Sequence, residues 1–341
     1  MTVLVTGGAG YIGSHMVLAL NDAGRSVVVL DDLSCGFEWL VPEGVPFIRG
    51  DVGDQELVAE LIRKHEITAI LHFAGSIVVP DSVSDPLFYY RNNTVQSRAL
   101  METAIAEGIK HFIFSSTAAV YGEPERTPIT ESMPHQPISP YGTSKLMTEW
   151  MLRDAAVAHP DFNYVALRYF NVAGADPQLR SGQSFPRATH LIKIASQAAT
   201  GDRSHIEVYG TDYPTADGTC IRDYIHVSDL AEAHLCALNY LEAGGKSTAA
   251  NCGYGYGYSV LEIIDAVKRV SGVDFTVKTA SRRAGDPAIL VAGNERVRHE
   301  FGFTPKRADL DLIVGDALAW ERQLQTIRRN EVQQNSIAVN S

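Results

Sequence analysis

A glycine-rich turn between an apolar run and a helix-like pattern constrains the fold more than any other feature of this chain. The apolar run spans residues 3–5, and glycines follow at Gly7, Gly10 and Gly13. Without a Cβ atom, these residues let the backbone turn tightly, approach a diphosphate closely and bring the next helix against its strand. The free N–H groups at the start of that helix then face the phosphates. The pattern predicts a βαβ unit that binds a dinucleotide.

An acidic residue at the end of the next apolar run points to the type of dinucleotide. The run covers residues 27–30 and ends at Asp31, about 20 residues beyond the glycines. A carboxylate at this place accepts hydrogen bonds from ribose hydroxyls and repels a 2′-phosphate, which favours NAD over NADP. A glycine turn alone is also compatible with a purely structural role. The strand, helix and acid around it favour cofactor binding.

Composition and charge exclude several classes of protein. The chain has 341 residues, of which 45% are hydrophobic, and this length suits one large domain or two closely joined ones. A net charge of −11 argues against nucleic acid or an anionic membrane as a partner. No apolar run approaches the ~18 residues of a membrane span. The four cysteines lack metal-ligand spacing, so we expect no metal site, reduced thiols and a cytoplasmic location.

Apolar runs alternate with helical patterns through the first half of the chain, which predicts an α/β fold with a Rossmann-type, doubly wound parallel sheet. We expect a NAD-binding domain over residues 1–171, a smaller C-terminal α/β substrate-binding region over 172–325 with some chain crossing between the two, and a flexible tail over 326–341. Strands are predicted at 2–6, 27–30, 46–48, 69–73, 111–115 and 164–168, and helices at 11–23, 54–65, 93–107 and 142–158.

Three residues have the character of a proton-transfer site. Tyr141 and Lys145 are four positions apart and lie on one face of a predicted helix, with Pro140 in its first turn. A nearby ammonium and a positive nicotinamide would lower the pKa of the phenol from about 10 and make it a usable base. Thr117, at the end of a predicted strand, is placed to share the substrate proton. The same Tyr and Lys spacing also occurs by chance on protein surfaces.

The segments around these residues resemble the extended branch of the short-chain dehydrogenase/reductase superfamily and, more narrowly, the UDP-glucose 4-epimerase (UDP-galactose 4-epimerase) family. The similarity reaches to about residue 320, and its most specific part is the run from residue 209 to 227. The resembling segments are residues 6–13, 72–75, 89–93, 114–122, 141–145, 167–171, 209–215, 217–227 and 282–286.

This resemblance implies an NAD-dependent isomerase that inverts C4 of a UDP-hexose through a transient 4-keto sugar, with UDP held firmly and the sugar ring free to turn. It also implies a homodimer formed through the helices near 93–107 and 142–158. Strand ends and motif positions together predict contacts to the cofactor from Gly7, Gly10, Tyr11, Ile12, Gly13, Asp31, Asp32, Asp51, Val52, Phe73, Ala74, Gly75, Asn92, Ser115, Tyr141, Lys145 and Phe170. Substrate contacts are expected from Thr117, Tyr141, Asn171, His190, Leu191, Tyr209, Arg222, Arg283, Asp286 and Leu290.

Some positions depart from the common pattern of that family. Ile77 stands where many relatives have a lysine that contacts the cofactor, so that contact is absent here. Leu290 aligns with a position that limits the 2-substituent of the sugar and is intermediate in size. A UDP-N-acetylhexosamine, UDP-pentose or UDP-uronate therefore stays an alternative substrate.

Particular residues of the chain bear on two functions that rival epimerisation. A 4,6-dehydratase would carry acidic residues directly after the active hydroxyl, whereas this chain has Ala118 and Ala119 there. A non-catalytic NAD-binding regulator is a second alternative, since a fold alone does not establish function. Such a regulator is expected to have lost Tyr141, Lys145 or the arginines, and the chain keeps them.

Overall fold

The parallel sheet at the centre of the molecule has seven strands in the order β11-β6-β5-β4-β1-β2-β3. A computed structural model describes residues 1–283 and 286–339, with side chains as far as residue 330. Ala284 and Gly285 of the last resembling segment, and Asn340 and Ser341 of the predicted tail, lie outside the described residues. The sheet strands are β1 (Thr2–Thr6), β2 (Ser26–Asp31), β3 (Phe47–Arg49), β4 (Ile67–His72), β5 (His111–Thr117), β6 (Asn163–Tyr169) and β11 (Thr248–Cys252).

Alternation of side chains along each strand divides the apolar residues between the two faces of the sheet. Val3 and Val5 of β1 belong to one buried cluster, whereas Leu4 between them belongs to another. Helices cover both faces, as the predicted doubly wound fold requires. The helices are α1 (Tyr11–Asp22), α2 (Gln55–Lys64), α3 (Val79–Ser84), α4 (Pro86–Tyr89), α5 (Gln96–Ala106), α6 (Pro140–Ala158), α7 (Leu191–Ala199), α8 (Val227–Glu242), α9 (Val260–Ser271), α10 (Glu295–His299) and α11 (Leu310–Val339).

This sheet confirms the predicted Rossmann-type fold. Two elements of the chain were not predicted, a strand of the sheet and a π-helix. The strand β11 comes from the expected C-terminal region and pairs in parallel with β6; some crossing of the chain between the two regions was expected, but this strand was not. Its sequence, Thr-Ala-Ala-Asn-Cys, contains small and polar residues and gives no apolar signal. A π-helix over Tyr90–Val95 precedes α5 where a single helix was predicted. Short π-helical segments of this kind are frequent at functional sites.

The rest of the chain forms small sheets beside the carboxyl ends of the main strands. The structure describes α11 as continuing to Val339, through most of the segment predicted to be a flexible tail. No helix among the described residues has both the length and the apolar character needed to cross a membrane. The remaining strands are β7 (Asn171–Ala173), β8 (His205–Tyr209), β9 (Ile221–Arg222), β10 (Tyr224–His226), β12 (Tyr258–Ser259), β13 (Thr276–Ala280) and β14 (Ile289–Leu290).

Candidate active site

A cavity of about 1300 Å³ opens at the carboxyl ends of the parallel strands, where doubly wound sheets bind their ligands. All the residues predicted to contact the cofactor lie on its wall. Of the predicted substrate residues, Thr117, Tyr141 and His190 line it as well. Asn171 and Leu191 line a smaller cavity that shares Tyr11 and His190 with the large one.

The glycine turn has the tight geometry that its sequence predicts. Gly7 has φ +69°, and a Cβ atom there would lie 2.6 Å from the backbone nitrogen of Ala74. A Cβ atom at Gly13 would lie 2.1 Å from the carbonyl oxygen of Gly7. Gly10 caps the start of α1 without any side-chain hydrogen bond. The positive end of this helix is therefore available to an anion in the cavity.

Three acidic residues lie on the wall beyond the second and third strands. Both carboxylate oxygens of Asp31 accept backbone hydrogen bonds, from Ala9 N at 2.9 Å and Leu33 N at 2.8 Å. Burial raises the pKa of Asp31 above its usual value, and the two N–H donors oppose that shift. A carboxylate has about four lone-pair sites, so Asp31 keeps acceptor capacity for ribose hydroxyls. Asp32 accepts from Ser34 N, and Asp51 accepts from Gly53 N, both at 2.8 Å.

Tyr141, Thr117 and Lys145 meet on the wall because α6 starts beside the end of β5. Ser139 caps α6 by accepting a hydrogen bond from Gly142 N at 3.2 Å. Burial raises the pKa of Tyr141, and the Thr117 hydroxyl lowers it in part. The expected fall in the pKa of the phenol relies on the ammonium together with a nicotinamide and stays a prediction; among the protein's own groups, burial has the largest effect and raises the pKa.

Lys145 is buried beside the phenol, with 3% of its surface exposed. Its Nζ donates to the carbonyl oxygen of Ser115 at 3.1 Å and lies 4.9 Å from the centre of the Phe114 ring. Burial lowers the pKa of Lys145 to about 8, so the ammonium form still dominates at neutral pH. The same charge helps to hold the pKa of buried His72 down at about 3.

The loop after β4 is fixed by the π-helix. Asn93 accepts from Ser76 N at 2.7 Å and donates to the carbonyl oxygen of Ser76 at 3.0 Å. Asn92 donates to the Ser76 hydroxyl at 2.9 Å. A Cβ atom at Gly75 would lie 3.0 Å from Asn93 Oδ1 and 3.5 Å from Lys145 Nζ. The hydrogen bonds fix Ser76, and the short distances from a hypothetical Cβ atom show that Gly75 lies close to Asn93 and to the amino group of Lys145.

Five of the predicted substrate residues lie outside the lining of either cavity. Arg222 forms an ion pair with Asp286, although the resemblance assigns the arginine to the diphosphate and the acid to the ribose. The guanidinium of Arg283 lies 3.8 Å from the centre of the Tyr209 ring. Leu290 packs against a buried cluster that also contacts Phe170 of the cavity wall.

Several wall residues were not predicted. Tyr169 lines the cavity from the end of β6 and bonds to the Ser115 hydroxyl; its position within a resembling segment was the signal that could have found it. Gln183 and Phe185 lie in the irregular loop after β7, whose sequence has no periodic pattern from which they could be predicted. Ile77, noted only as a departure from the family, also lies on the wall.

The fold and this site together define a dinucleotide-binding α/β enzyme of the short-chain dehydrogenase/reductase type. A family model described as the NAD dependent epimerase/dehydratase family matches residues 3–253. The chain belongs to that family.

Comparison with individual proteins gives similarity along nearly the whole chain. A UDP-glucose 4-epimerase of Azospirillum brasilense is 57% identical over 323 residues, which are 95% of this chain and 92% of that protein. The crystal structure of UDP-glucose 4-epimerase from Brucella ovis in complex with NAD has a TM-score of 0.91 and 44% identity, covering 93% of this chain and 97% of that one. The UDP-Glc/GlcNAc 4-epimerase of Campylobacter jejuni has a TM-score of 0.83 and 47% identity, covering 94% and 99%.

Proposed function

We propose that this protein inverts C4 of a UDP-hexose and interconverts UDP-glucose and UDP-galactose, with NAD as its cofactor. The observation that carries the proposal is a single wall that holds Tyr141, Lys145 and Thr117 together with the glycine turn and Asp31. The UDP-glucose 4-epimerases named above, at up to 57% identity, support the same reaction.

The residues of the cavity fit NAD. The turn at Gly7 and Gly13 excludes side chains, and the N-terminus of α1 is free of a side-chain cap, as a diphosphate requires. Asp31 would hold the adenosine ribose, and Lys145 the nicotinamide ribose. When bound, NAD supplies the acceptor and then the donor of the C4 hydride, so the sugar passes through a 4-keto form.

Tyr141 is the proposed base for the 4-hydroxyl of the sugar. The Thr117 hydroxyl lines the same wall and lowers the pKa of the phenol, so a substrate hydroxyl that contacts both groups has one partner to take its proton and another to orient it. Lys145 keeps an ammonium on the same helix face. Positive charge beside the phenol favours the tyrosinate form that proton removal needs.

The uridine diphosphate is proposed to lie between the cavity and the residues around β9. Arg222 and Arg283 would bind the diphosphate, because the guanidinium group matches phosphate oxygens with two donors. The ion pair with Asp286 holds the Arg222 guanidinium in place before the ligand arrives. The remaining proposed contacts to the uridine, its ribose and the sugar come from Asn171, His190, Leu191, Tyr209, Asp286 and Leu290.

Product analysis of the purified protein tests the proposal. The protein is incubated separately with UDP-galactose, UDP-N-acetylgalactosamine, UDP-xylose and UDP-glucuronate, with and without added NAD. Conversion of UDP-galactose to UDP-glucose is expected, and the rate on the acetylated sugar measures how restrictive Leu290 is. Faster inversion of one of the other sugars would move the assignment to that sugar. Folded, NAD-loaded protein that inverts none of them would refute the reaction.

We also propose that the protein is a cytoplasmic homodimer. Three apolar side chains in the predicted interface are exposed. The exposed fraction is 48% for Val95 at the start of that interface, and 45% for Trp150 and 80% for Val157 on α6. A second copy of the chain would cover this apolar area. Sedimentation analysis should give twice the chain mass, and Trp150→Glu should give monomers; a monomeric wild-type protein would refute the dimer. The free thiols of all four cysteines support a reducing compartment.

A further inference from the structure

A buried ion pair lies directly behind the proton-transfer residues. Arg168 on β6 and Glu149 on α6 have side chains that are 4% and 6% exposed. Arg168 Nε donates to Glu149 Oε1 at 2.9 Å, and its Nη2 donates to Oε2 at 2.5 Å. Two parallel hydrogen bonds of this kind fix both side chains. The pair therefore joins β6 to α6 at one defined separation.

Ser116 attaches a third element to this pair. Its hydroxyl donates to Glu149 Oε1 at 2.5 Å. Successive residues of a strand point to opposite faces, so Ser116 points away from the cavity while Ser115 and Thr117 line it. The bond from Ser116 to Glu149 thus sets the position of the end of β5 relative to α6.

The three connected residues each stand next to groups of the proposed site. Ser116 precedes Thr117, and Glu149 lies one helical turn beyond Lys145 and two beyond Tyr141. Arg168 precedes Tyr169, which also lines the cavity. Two further hydrogen bonds fix Arg168. Its Nη1 donates to the Tyr121 hydroxyl at 2.8 Å, and the Tyr121 hydroxyl donates to Asn251 Oδ1 at 2.7 Å.

We propose that Ser116, Glu149 and Arg168 are positioning residues that set the place of the Thr117 hydroxyl relative to Tyr141. The inference rests on the proposed function for its catalytic readout, because the phenol matters to turnover only where it is the base. Breaking a buried pair of this kind leaves an uncompensated charge, whereas Ser116 can lose its hydroxyl without leaving one. Ser116→Ala is therefore the cleaner perturbation.

The Thr117 hydroxyl lowers the pKa of Tyr141, so moving that hydroxyl away should raise the pKa. The other titratable groups facing the phenol are Lys145 on its own helix, Tyr169 from β6 and Tyr89 from α4. None of these groups is altered by Ser116→Ala. A shift in the titration of Tyr141 would therefore report the Thr117 contact.

The experiment compares the wild-type protein with Ser116→Ala, Glu149→Gln and the control Thr103→Val. Thr103 is a buried residue of α5, away from the cavity, that donates to the carbonyl oxygen of Ala99 at 3.1 Å. Ser116→Ala should lower kcat about fivefold, the effect of one hydrogen bond worth about 1 kcal/mol, and leave KM within twofold. Glu149→Gln also leaves Arg168 without its charged partner and should lower kcat by at least as much. The rise of kcat with pH should move to higher pH in both, and the control should match the wild type.

A second readout does not depend on turnover. Ultraviolet difference titration of each protein against the same protein carrying Tyr141→Phe gives the ionisation of this phenol directly. Ser116→Ala should raise the pKa of Tyr141 in this titration. The result does not depend on activity, so it still decides the positioning inference if the wild-type protein inverts no UDP-sugar and the proposed function fails. Folded Ser116→Ala with an unchanged Tyr141 titration would overturn the inference, whether or not Glu149→Gln folds.

Discussion

Removing the buried ammonium of Lys145 should make the protein more stable while it abolishes turnover. Burial lowers the pKa of Lys145 from 10.5 to about 8. At about 1.4 kcal/mol for each pH unit, the charged form costs the fold about 3 kcal/mol. Lys145→Met also loses the hydrogen bond to Ser115, worth about 1 kcal/mol. The variant is expected to gain about 2 kcal/mol of unfolding free energy at pH 7.

The gain in unfolding free energy should depend on pH, because only the charged form of Lys145 destabilises the fold. The pKa of Lys145 is lower in the folded than in the unfolded protein, so the cost is fully present below pH 8 and disappears as the pH rises to 10.5. Urea unfolding of NAD-free protein between pH 7 and pH 10.5 measures the difference between variant and wild type. The exposed Lys110 provides the control Lys110→Met, which should show no such trend. A Lys145→Met protein that is less stable than the wild type, or equally stable at every pH, would refute the reasoning.

Three further predictions concern catalysis, cofactor choice and substrate size. Tyr141→Phe should lower kcat by about 10³-fold, within the range of general-base effects, while calorimetry shows NAD and UDP binding within a few-fold of the wild type; near-normal turnover would remove the base assignment. Asp31→Asn keeps an acceptor for Ala9 N and removes the charge, so the preference for NAD over NADP should fall about tenfold in binding assays, and an unaltered preference would contradict the role of Asp31. Leu290→Ala should raise the rate on UDP-N-acetylgalactosamine relative to UDP-galactose, and equal ratios in the two proteins would show that Leu290 does not limit the sugar.

The features that could be predicted from the sequence are those encoded locally. The glycine turn, the acid at Asp31 and the spacing of Tyr141 and Lys145 each follow from a short segment whose secondary structure is set by its own pattern. Their meeting at one cavity then follows from the rule that ligands bind at the carboxyl ends of parallel strands. These signals were enough to predict the fold and a large part of the wall of the cavity.

The features that escaped prediction depend on contacts between distant segments. The ion pair of Arg168 with Glu149 and that of Arg222 with Asp286 join residues whose types alone suggest exposed charges. The upward effect of burial on the pKa of Tyr141 was not predicted for the same reason, because burial depends on the packed elements around the phenol. The strand β11 was missed since pairing with β6, and not its own composition, makes it a strand.

The most direct test of the account follows the hydrogen at C4. UDP-galactose carrying deuterium at C4 is converted by the purified protein, and the product is analysed by mass spectrometry and NMR. Removal and return of the hydride within one site predicts UDP-glucose that keeps its deuterium at C4, formed more slowly than from the unlabelled sugar. Deuterium lost to the solvent during inversion would contradict a site in which Tyr141 moves the hydroxyl proton and the C4 hydrogen returns as hydride.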